Sequence, residues 1–239
     1  MSEQITIPVA GHAELHLSTR SGSVRVTAEE RADVLIESGA PPRERIETDA
    51  TGRISVMSAR GGSASLEVRC PAGTDVVVGM ISGSAELRGQ FGAVRVNTVS
   101  GSIEIDRVEE IDARTISGNI DVSACSGKCR LATKSGRTSC GGAGDARVST
   151  LSGSVELAAV TGSAKVQSVS GSVELGLRGK GDVAVQTMSG SVRVQVPSGV
   201  RPATRLRSMS GRPKSECEEG DDCEIRVQSL SGRIEVVPF

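Results

Sequence analysis

The chain has 239 residues, 28 of them basic and 29 acidic, which gives a formal net charge of −1, and 37% of its residues are hydrophobic. This balance lacks the basic excess that marks nucleic-acid binding. Only Phe91 and Phe239 are aromatic, so the sequence offers neither a core of large rings nor stacking platforms for single strands. These values favour a narrow, regular core built from Val, Ile and Leu.

The first residues, MSEQITIPVAGHAELHL, alternate polar with apolar side chains and carry Glu3 early. They lack a basic segment followed by an apolar core, so we do not expect a secretory signal. No stretch reaches the roughly 18 apolar residues of a membrane helix. We therefore expect a cytoplasmic protein without membrane insertion.

Residues 1–73 contain short alternating segments separated by turns, such as DVLIESG and RISVMSA. Alternation with period two predicts half-buried strands. Ser21-Gly22-Ser23 has the form of an early corner, and PPRER at 41–45 is expected to be a loop. We interpret 1–73 as irregular strands that cap a repeat, because an open stack would expose its strand edges.

A Ser-Gly-x corner recurs through the rest of the chain, and the spacings between successive glycines are 18, 17, 18, 17, 18, 19, 21 and 21 residues. The corner glycines are Gly83, Gly101, Gly118, Gly136, Gly153, Gly171, Gly190, Gly211 and Gly232. Glycine suits a corner because it adopts positive φ angles, and the flanking serines can bond to nearby backbone. A nucleophilic serine would occur once, beside an activating base.

Apolar residues occupy the positions two and four after most corner glycines, and seven and five before them. Around the corner SVSGSVELGL they are Val173, Leu175, Ala164 and Val166. A coil of about 18 residues therefore holds two short strands and two turns. A unit this short cannot bury its own apolar face, whereas stacked units can. The sequence predicts an all-β fold, a β-solenoid of the β-helix or β-roll type.

We expect one solenoid domain over 1–239, with the irregular cap at 1–73 and regular coils over 74–239. The last two spacings lengthen, and the extra residues fall in PSGVRP (197–202) and PKSECEEGDDCE (213–224). We interpret 213–224 as a hairpin inserted between coils.

A hydroxyl side chain lies three residues before most corners. This hydroxyl column is Thr98, Thr115, Thr133, Thr150, Ser168, Thr187, Ser208 and Ser229. An exposed array of this kind would suit ice binding. These positions are two and four residues from the inward apolar positions of the same strand, however. We therefore expect the hydroxyls to point inward and to bond to the corner.

Two columns of charged residues stand at positions that alternate with the inward ones, so their side chains are expected to point outward. The acidic column, three residues after the corner, contains Glu86, Glu104, Asp121, Glu156 and Glu174. The basic column, six residues before it, contains Arg95, Arg130, Arg147, Lys165, Arg205 and Arg226. If the two strands of a coil lie in opposite sheets, these columns form complementary faces that dock copies side by side or bind a charged protein. Ordinary solvation of the surface is the alternative.

Six cysteines offer further candidate sites. Cys129 and Cys140 fall at inward positions, where cysteine acts as a small hydrophobe. Zinc binding by these two with Cys125 is the alternative, although no histidine lies near them in sequence. Cys217 and Cys223 flank an acidic segment that could close as a disulfide or attract a cation. A reduced, solvated hairpin is the preferred interpretation, because the cytosol keeps thiols reduced.

GGAGDARVS at 141–149 departs from the calcium-binding nonapeptide by one position and occurs once. Phosphate-binding and dinucleotide-binding fingerprints are absent from the sequence. We therefore expect no metal, no cofactor and no small-molecule substrate.

The segment V-x-C-P-A-G-T-D-V-V-V, followed by repeated S-G-S-[VI]-E-[VLI], resembles the bacterial β-strand-repeat proteins called putative adhesins, or the toastrack domain. The resemblance covers essentially the whole chain, most clearly from Cys70 to Phe239. It implies a β-solenoid without established catalytic residues. Some members are linked to cell-envelope stress systems or lie beside membrane transporters.

Together these features predict a non-catalytic, rigid scaffold that binds a protein partner or itself, and no nucleic acid. An envelope-associated adhesin or binding domain, exported by a route not visible in the sequence, is the alternative. A carbohydrate-cleaving β-helix ranks third, because such enzymes need clustered acid and base groups. The carboxylates here repeat along a column instead.

Overall fold

A computed structural model describes residues 3–9, 11, 13–38, 45–49, 52–57 and 65–239. These residues are all-β, with 22 strands and no helix, and hence no helix able to span a membrane. The loop expected at 41–45 lies outside them except for the backbone of its last residue. The chain consists of two compact units, Met1–Asp121 and Val122–Phe239. The single domain over 1–239 stays a prediction.

The strands of the first unit pair mostly in parallel. They are β1 (Glu3–Pro8), β2 (Glu14–Ser21), β3 (Val24–Glu29), β4 (Asp33–Ser38), β5 (Arg45–Thr48), β6 (Arg53–Met57), β7 (Leu66–Pro71), β8 (Asp75–Ser82), β9 (Ala85–Asn97) and β10 (Ile103–Ser117). Strand segments that precede a corner glycine, with the segments paired to them in parallel, form the pre-corner sheet of the unit. Segments that follow a corner glycine form the post-corner sheet, and a long strand such as β9 contributes one half to each sheet.

Sequence order and spatial order differ in the first unit. In the pre-corner sheet β2 lies between β6 and β8, and in the post-corner sheet β3 lies between β7 and β9. The first coil is thus inserted between two later ones. Antiparallel strands flank the outermost coil, with β5 on β6, β4 on β7 and β1 on β4. These strands cover edges of the outermost coil that would otherwise be open.

The second unit contains the remaining strands. They are β11 (Ile120–Ser135, in this unit from Val122), β12 (Thr138–Cys140), β13 (Ala143–Ser152), β14 (Val155–Val160), β15 (Ala164–Ser170), β16 (Val173–Leu177), β17 (Val183–Ser189), β18 (Val192–Val196), β19 (Ala203–Ser210), β20 (Pro213–Ser215), β21 (Glu224–Ser231) and β22 (Ile234–Pro238). The pre-corner sheet has the order β11-β13-β15-β17-β21-β19, and the post-corner sheet β12-β14-β16-β18-β22-β20.

The last coil of the sequence, β21–β22, therefore lies between β17–β18 and β19–β20. The chain passes over one strand position after β18 and returns after β20. The first crossing advances two strand positions instead of one, which needs about 4.8 Å of extra reach, and the second goes back by one position. The two 21-residue spacings fall at these two crossings. The structure differs here from the expected hairpin insertion at 213–224. Pro213–Ser215 is a strand of the stack, and residues 216–223 form the returning loop.

Three coils replace the second predicted turn with a continuous strand. β9, β10 and β11 run for 13, 15 and 16 residues through that point. The pairing register shifts between Ile105 and Arg107 in β10, and between Cys125 and Lys128 in β11. A bulge bends the strand there without ending its ladder of hydrogen bonds. The predicted coil of two short strands and two turns fits residues 138–196 better than it fits residues 85–135.

Inward side chains form the core of each unit. In the second unit Val155, Val173, Val192 and Ile234 lie one above another and are at most 1% exposed. The hydroxyl column also points inward, as predicted, but the expected bond to the corner forms at only four of its eight members. Thr133, for example, is buried, and its hydroxyl donates to the Ser135 carbonyl at 3.2 Å.

The corner glycines are needed for two reasons. Eight of the nine have positive φ, and Gly211, in the outermost coil, is the exception. A Cβ built on Gly171 would also lie 2.0 Å from the carbonyl oxygen of Gly153 on the neighbouring strand position. The recurring Ser-Gly pair is therefore a corner of the stack, and the glycine of each corner lies directly over the glycine of the neighbouring coil.

Candidate binding face

The outward side of the pre-corner sheet in the second unit carries a column eight residues before the corners that includes Lys128, Asp145 and Glu224. The three columns nearer the corners hold only basic, polar or apolar residues, and we call them together the amphipathic face. Six residues before the corners, in spatial order, are Arg130, Arg147, Lys165, Ala184, Arg226 and Arg205. Four residues before are Ala132, Ser149, Gln167, Gln186, Gln228 and Arg207. Two residues before are Lys134, Leu151, Val169, Met188, Leu230 and Met209. Seven of these residues are Lys or Arg, and none is Asp or Glu.

The positive charge of this face is only partly neutralised. Arg226 donates to a carboxylate oxygen of Glu224 at 2.8 Å, and Arg205 lies 3.3 Å from the same oxygen. Within residues 65–239, Arg130, Arg147 and Lys165 form no ion pair, and all three side chains are exposed. Like charges on adjacent strands repel one another, so an anionic partner would relieve a small unfavourable energy.

The apolar column of this face was missed by the sequence analysis. Leu151, Val169, Met188, Leu230 and Met209 are 51%, 40%, 52%, 44% and 83% exposed. Contiguous exposed apolar side chains mark interaction surfaces more often than single ones do. A signal existed in the sequence, because apolar residues recur two before the corner, where the parity is outward.

A shallow depression of about 830 Å³ lies at the outer end of this column. Leu206, Met209, Pro213 and Leu230 contribute its apolar walls, and Arg207 contributes charge. The depression exists because β19 and β20 are outermost and, among the described residues, have a strand on one side only.

The predicted acidic column is divided between the two units. Glu156 and Glu174 lie outward on the post-corner sheet of the second unit, so acidic and basic columns occupy different sheets there. Arg193 and Lys214 interrupt the acidic column at later strand positions. The resulting surface is mixed in charge, and a shallow groove of about 460 Å³ runs along it.

The first unit holds the other members, Glu86, Glu104 and Asp121. Arg25 donates to Glu86 at 2.9 Å, and Arg88 contacts its second carboxylate oxygen. The hydrogen bond from Arg25 lowers the pKa of Glu86. Arg95, the first member of the basic column, also lies in this unit, between Val77 and Asp112 on adjacent strands. It therefore belongs to a different unit from Arg130.

The buried cysteines are structural. The sulfur atoms of Cys129 and Cys140 lie 3.8 Å apart in the core. Thiol contacts with Cys125 and Cys140, together with burial, raise the pKa of Cys129, which disfavours the reactive thiolate. Among the described residues, no three His, Cys, Asp or Glu side chains are arranged so that they could hold a metal ion.

Two acidic candidates anchor turns. The Asp145 carboxylate of GGAGDARVS accepts hydrogen bonds from the Ser163 backbone and hydroxyl, both at 2.8 Å, and these bonds lower its pKa. In the returning loop, Asp222 pairs with Lys180 at 2.7 Å and accepts from the Arg201 backbone at 3.0 Å. Both carboxylates are thus engaged by the fold.

The family model described as Toastrack DUF4097 matches residues 4–236. The chain belongs to this family. No curated protein sequence matches it.

Several solved structures share the fold of this toastrack chain. A putative adhesin from Parabacteroides distasonis is 12% identical, with a TM-score of 0.59 over 99% of this chain and 97% of that one. A putative adhesin from Parabacteroides merdae is 11% identical, with a TM-score of 0.55 over 100% and 96%. One from Bacteroides fragilis is 8% identical, with a TM-score of 0.50 over 100% and 96%. At these identities the likeness concerns the fold alone.

Proposed function

We propose that this chain is a non-catalytic binding module that docks an anionic partner on the amphipathic face. One observation carries the proposal. Seven Lys or Arg and no Asp or Glu occupy that face, although the whole chain has a net charge of −1. The neighbours named putative adhesins support a binding role.

The solenoid architecture supports the role of a rigid scaffold. Coils of about 18 residues would repeat each outward side chain every 4.8 Å or so. Display on a fixed backbone lowers the entropy lost on binding. The carboxylates of the acidic column stand on successive strands rather than in one acid–base cluster, which favours binding over catalysis.

We also propose a cytoplasmic location and a link to an envelope-stress or transporter system. The resemblance to family members in such systems motivates the link. All six cysteines are free thiols, as in proteins of a reducing compartment. Cell fractionation with an epitope tag tests the location, and recovery only outside the cell would contradict it.

Binding to labelled polyglutamate, a soluble acidic polymer, tests the proposed function. The cationic-face variant carries Arg130→Gln, Arg147→Gln and Lys165→Gln. The control variant carries Arg193→Gln, Arg212→Gln and Arg233→Gln, which remove equal charge from the post-corner side. We expect fluorescence anisotropy to show binding at low salt that the cationic-face variant loses and the control variant keeps. Equal loss in both variants would refute a localised face.

Self-association is a second candidate, favoured by the outward Glu156 and Glu174 on the sheet opposite the basic column. Complementary columns would dock two copies side by side. Light scattering should then show a mass that grows with concentration at low salt and falls at high salt. A mass that stays monomeric at both salt concentrations would remove this candidate.

A further inference from the structure

We propose that the partner of the amphipathic face is the surface of an anionic lipid bilayer. This inference rests on the proposed function and deepens it by naming the partner. The binding would be peripheral, with the sheet lying flat on the membrane.

The charges on the face fit a surface of phosphate headgroups. Arg130, Arg147 and Lys165 have no carboxylate partner in the described chain, and they stand on three adjacent strands. Clusters of four to eight Lys or Arg are attracted to anionic lipids, most of all at the cytoplasmic leaflet. The seven cations of this face fall in that range.

The apolar column favours a bilayer over other polyanions as the partner. It runs parallel to the basic column, four residues away along each strand, which is about 13 Å. Its five exposed members, Leu151 to Met209, extend over roughly 20 Å at the strand spacing of a sheet. A soluble acidic chain gains little from such side chains. A bilayer can bury them just below its headgroups while the cations bind phosphate.

The column between them suits the same interface. Gln167, Gln186 and Gln228 stand on successive strands, and the Gln167 amide donates to Gln186 at 3.3 Å. These uncharged polar groups separate the cations from the apolar side chains and can bond to headgroup oxygens. The face thus changes from charged to polar to apolar side chains across one sheet.

Co-sedimentation of the full chain with vesicles tests this inference. One set of vesicles is phosphatidylcholine alone, and the other contains equal parts phosphatidylcholine and phosphatidylglycerol. We expect binding to the anionic vesicles only, weakened at high salt. The cationic-face variant should bind about a hundredfold more weakly, and the control variant should bind like the parent chain.

An apolar-face variant gives the decisive comparison. It carries Leu151→Ser, Val169→Ser and Met188→Ser, all at exposed positions, and circular dichroism checks that it folds. We expect at least a roughly tenfold loss of vesicle binding with unchanged polyglutamate binding. Vesicle binding that does not respond to this variant overturns the inference.

The two proposals fail in different ways. Polyglutamate binding without vesicle binding overturns the bilayer and leaves an anionic protein or other polymer as the partner. Loss of both overturns the proposed function as well.

Discussion

The two units share one way of turning the chain and differ in what they display. Corner glycines with positive φ recur in both, for example Gly83 and Gly171, and the side chains that point inward are apolar in both. Six residues before the corner, however, the first unit has His16, Val77, Arg95 and Asp112 where the second has mainly Arg and Lys. The inward positions determine the fold, and the outward positions are free to specify a partner.

The outermost coils of the two units differ as well. In each unit a coil is inserted out of sequence order next to the outermost one. The first unit covers its outermost coil with antiparallel β1, β4 and β5, whereas no described strand covers the outer side of β19 or β20. Met209 is 83% exposed as a result. The open edge and the amphipathic face thus belong to the same unit.

The corner should be the point at which the shared architecture is easiest to break. Gly171→Ala places a Cβ 2.0 Å from a backbone carbonyl oxygen at a φ of 130°, so we expect a loss of about 4 kcal/mol of unfolding free energy. Gly142→Ala is the control, because nothing lies within 4 Å of its Cβ. Urea denaturation followed by circular dichroism measures both. Equal stabilities would contradict the stacked corner.

A pair of leucines six residues apart compares inward with outward positions. Leu157 is 1% exposed and Leu151 is 51% exposed. Leu157→Ala should lower the free energy of unfolding by about 3 kcal/mol because it leaves a cavity, and Leu151→Ala by less than about 0.5 kcal/mol. If Leu151→Ala proved as damaging, the apolar column would be part of the core and not a binding surface.

The hydroxyl column offers a smaller contrast. Thr133 bonds to the Ser135 carbonyl, whereas the buried hydroxyl of Thr150 has no hydrogen-bond partner within the described chain. Thr133→Val should cost about 1 kcal/mol. Thr150→Val should be neutral or stabilise by up to about 1 kcal/mol, because it removes an unsatisfied buried group. Thermal unfolding measured side by side gives the sign of each change, and a larger loss for Thr150→Val would contradict this assignment.

The smallest expected effect concerns acid stability in the first unit. Arg25 and Arg88 lower the pKa of Glu86 below its usual 4.5. The stabilisation is complete above that usual value and is lost as the pH falls through the lower, folded-state value. Glu86→Gln should therefore flatten the acid-side decline in stability, by less than about 1 kcal/mol. Denaturation midpoints from pH 3 to pH 7 measure it, and an unchanged slope would show that the ion pair contributes nothing.

Periodicity made most of the fold predictable. Alternation around SVSGSVELGL indicates which residues point inward, because side chains alternate across a strand wherever it lies. The spatial order of the coils was not predictable, because similar residues stand at the paired positions of every coil. Any coil could therefore pair with any other. Only the two 21-residue spacings hinted that β21 would lie between β17 and β19. The bulges in β10 and β11 were hidden for a similar reason, since a bulge keeps the flanking alternation.

Of the binding face, the basic column could be predicted from the sequence, whereas the apolar column was not predicted. The basic column follows directly from parity, and the structure places five of its six members on one sheet. That Arg95 belongs to the first unit was not predictable, because nothing local marks the boundary between Asp121 and Val122. The apolar column was visible in Leu151 and Val169, whose outward parity conflicts with their hydrophobic character.

Lysine acetylation footprinting in the presence of anionic vesicles tests the amphipathic face most directly. Lys134 and Lys165 lie on that face, and Lys214 lies on the post-corner sheet of the same unit. Mass spectrometry reports each acetylation rate with vesicles of equal parts phosphatidylcholine and phosphatidylglycerol relative to the free chain. We predict slower acetylation of Lys134 and Lys165 with Lys214 unchanged. Equal protection of all three, or protection of Lys214 alone, would contradict the account.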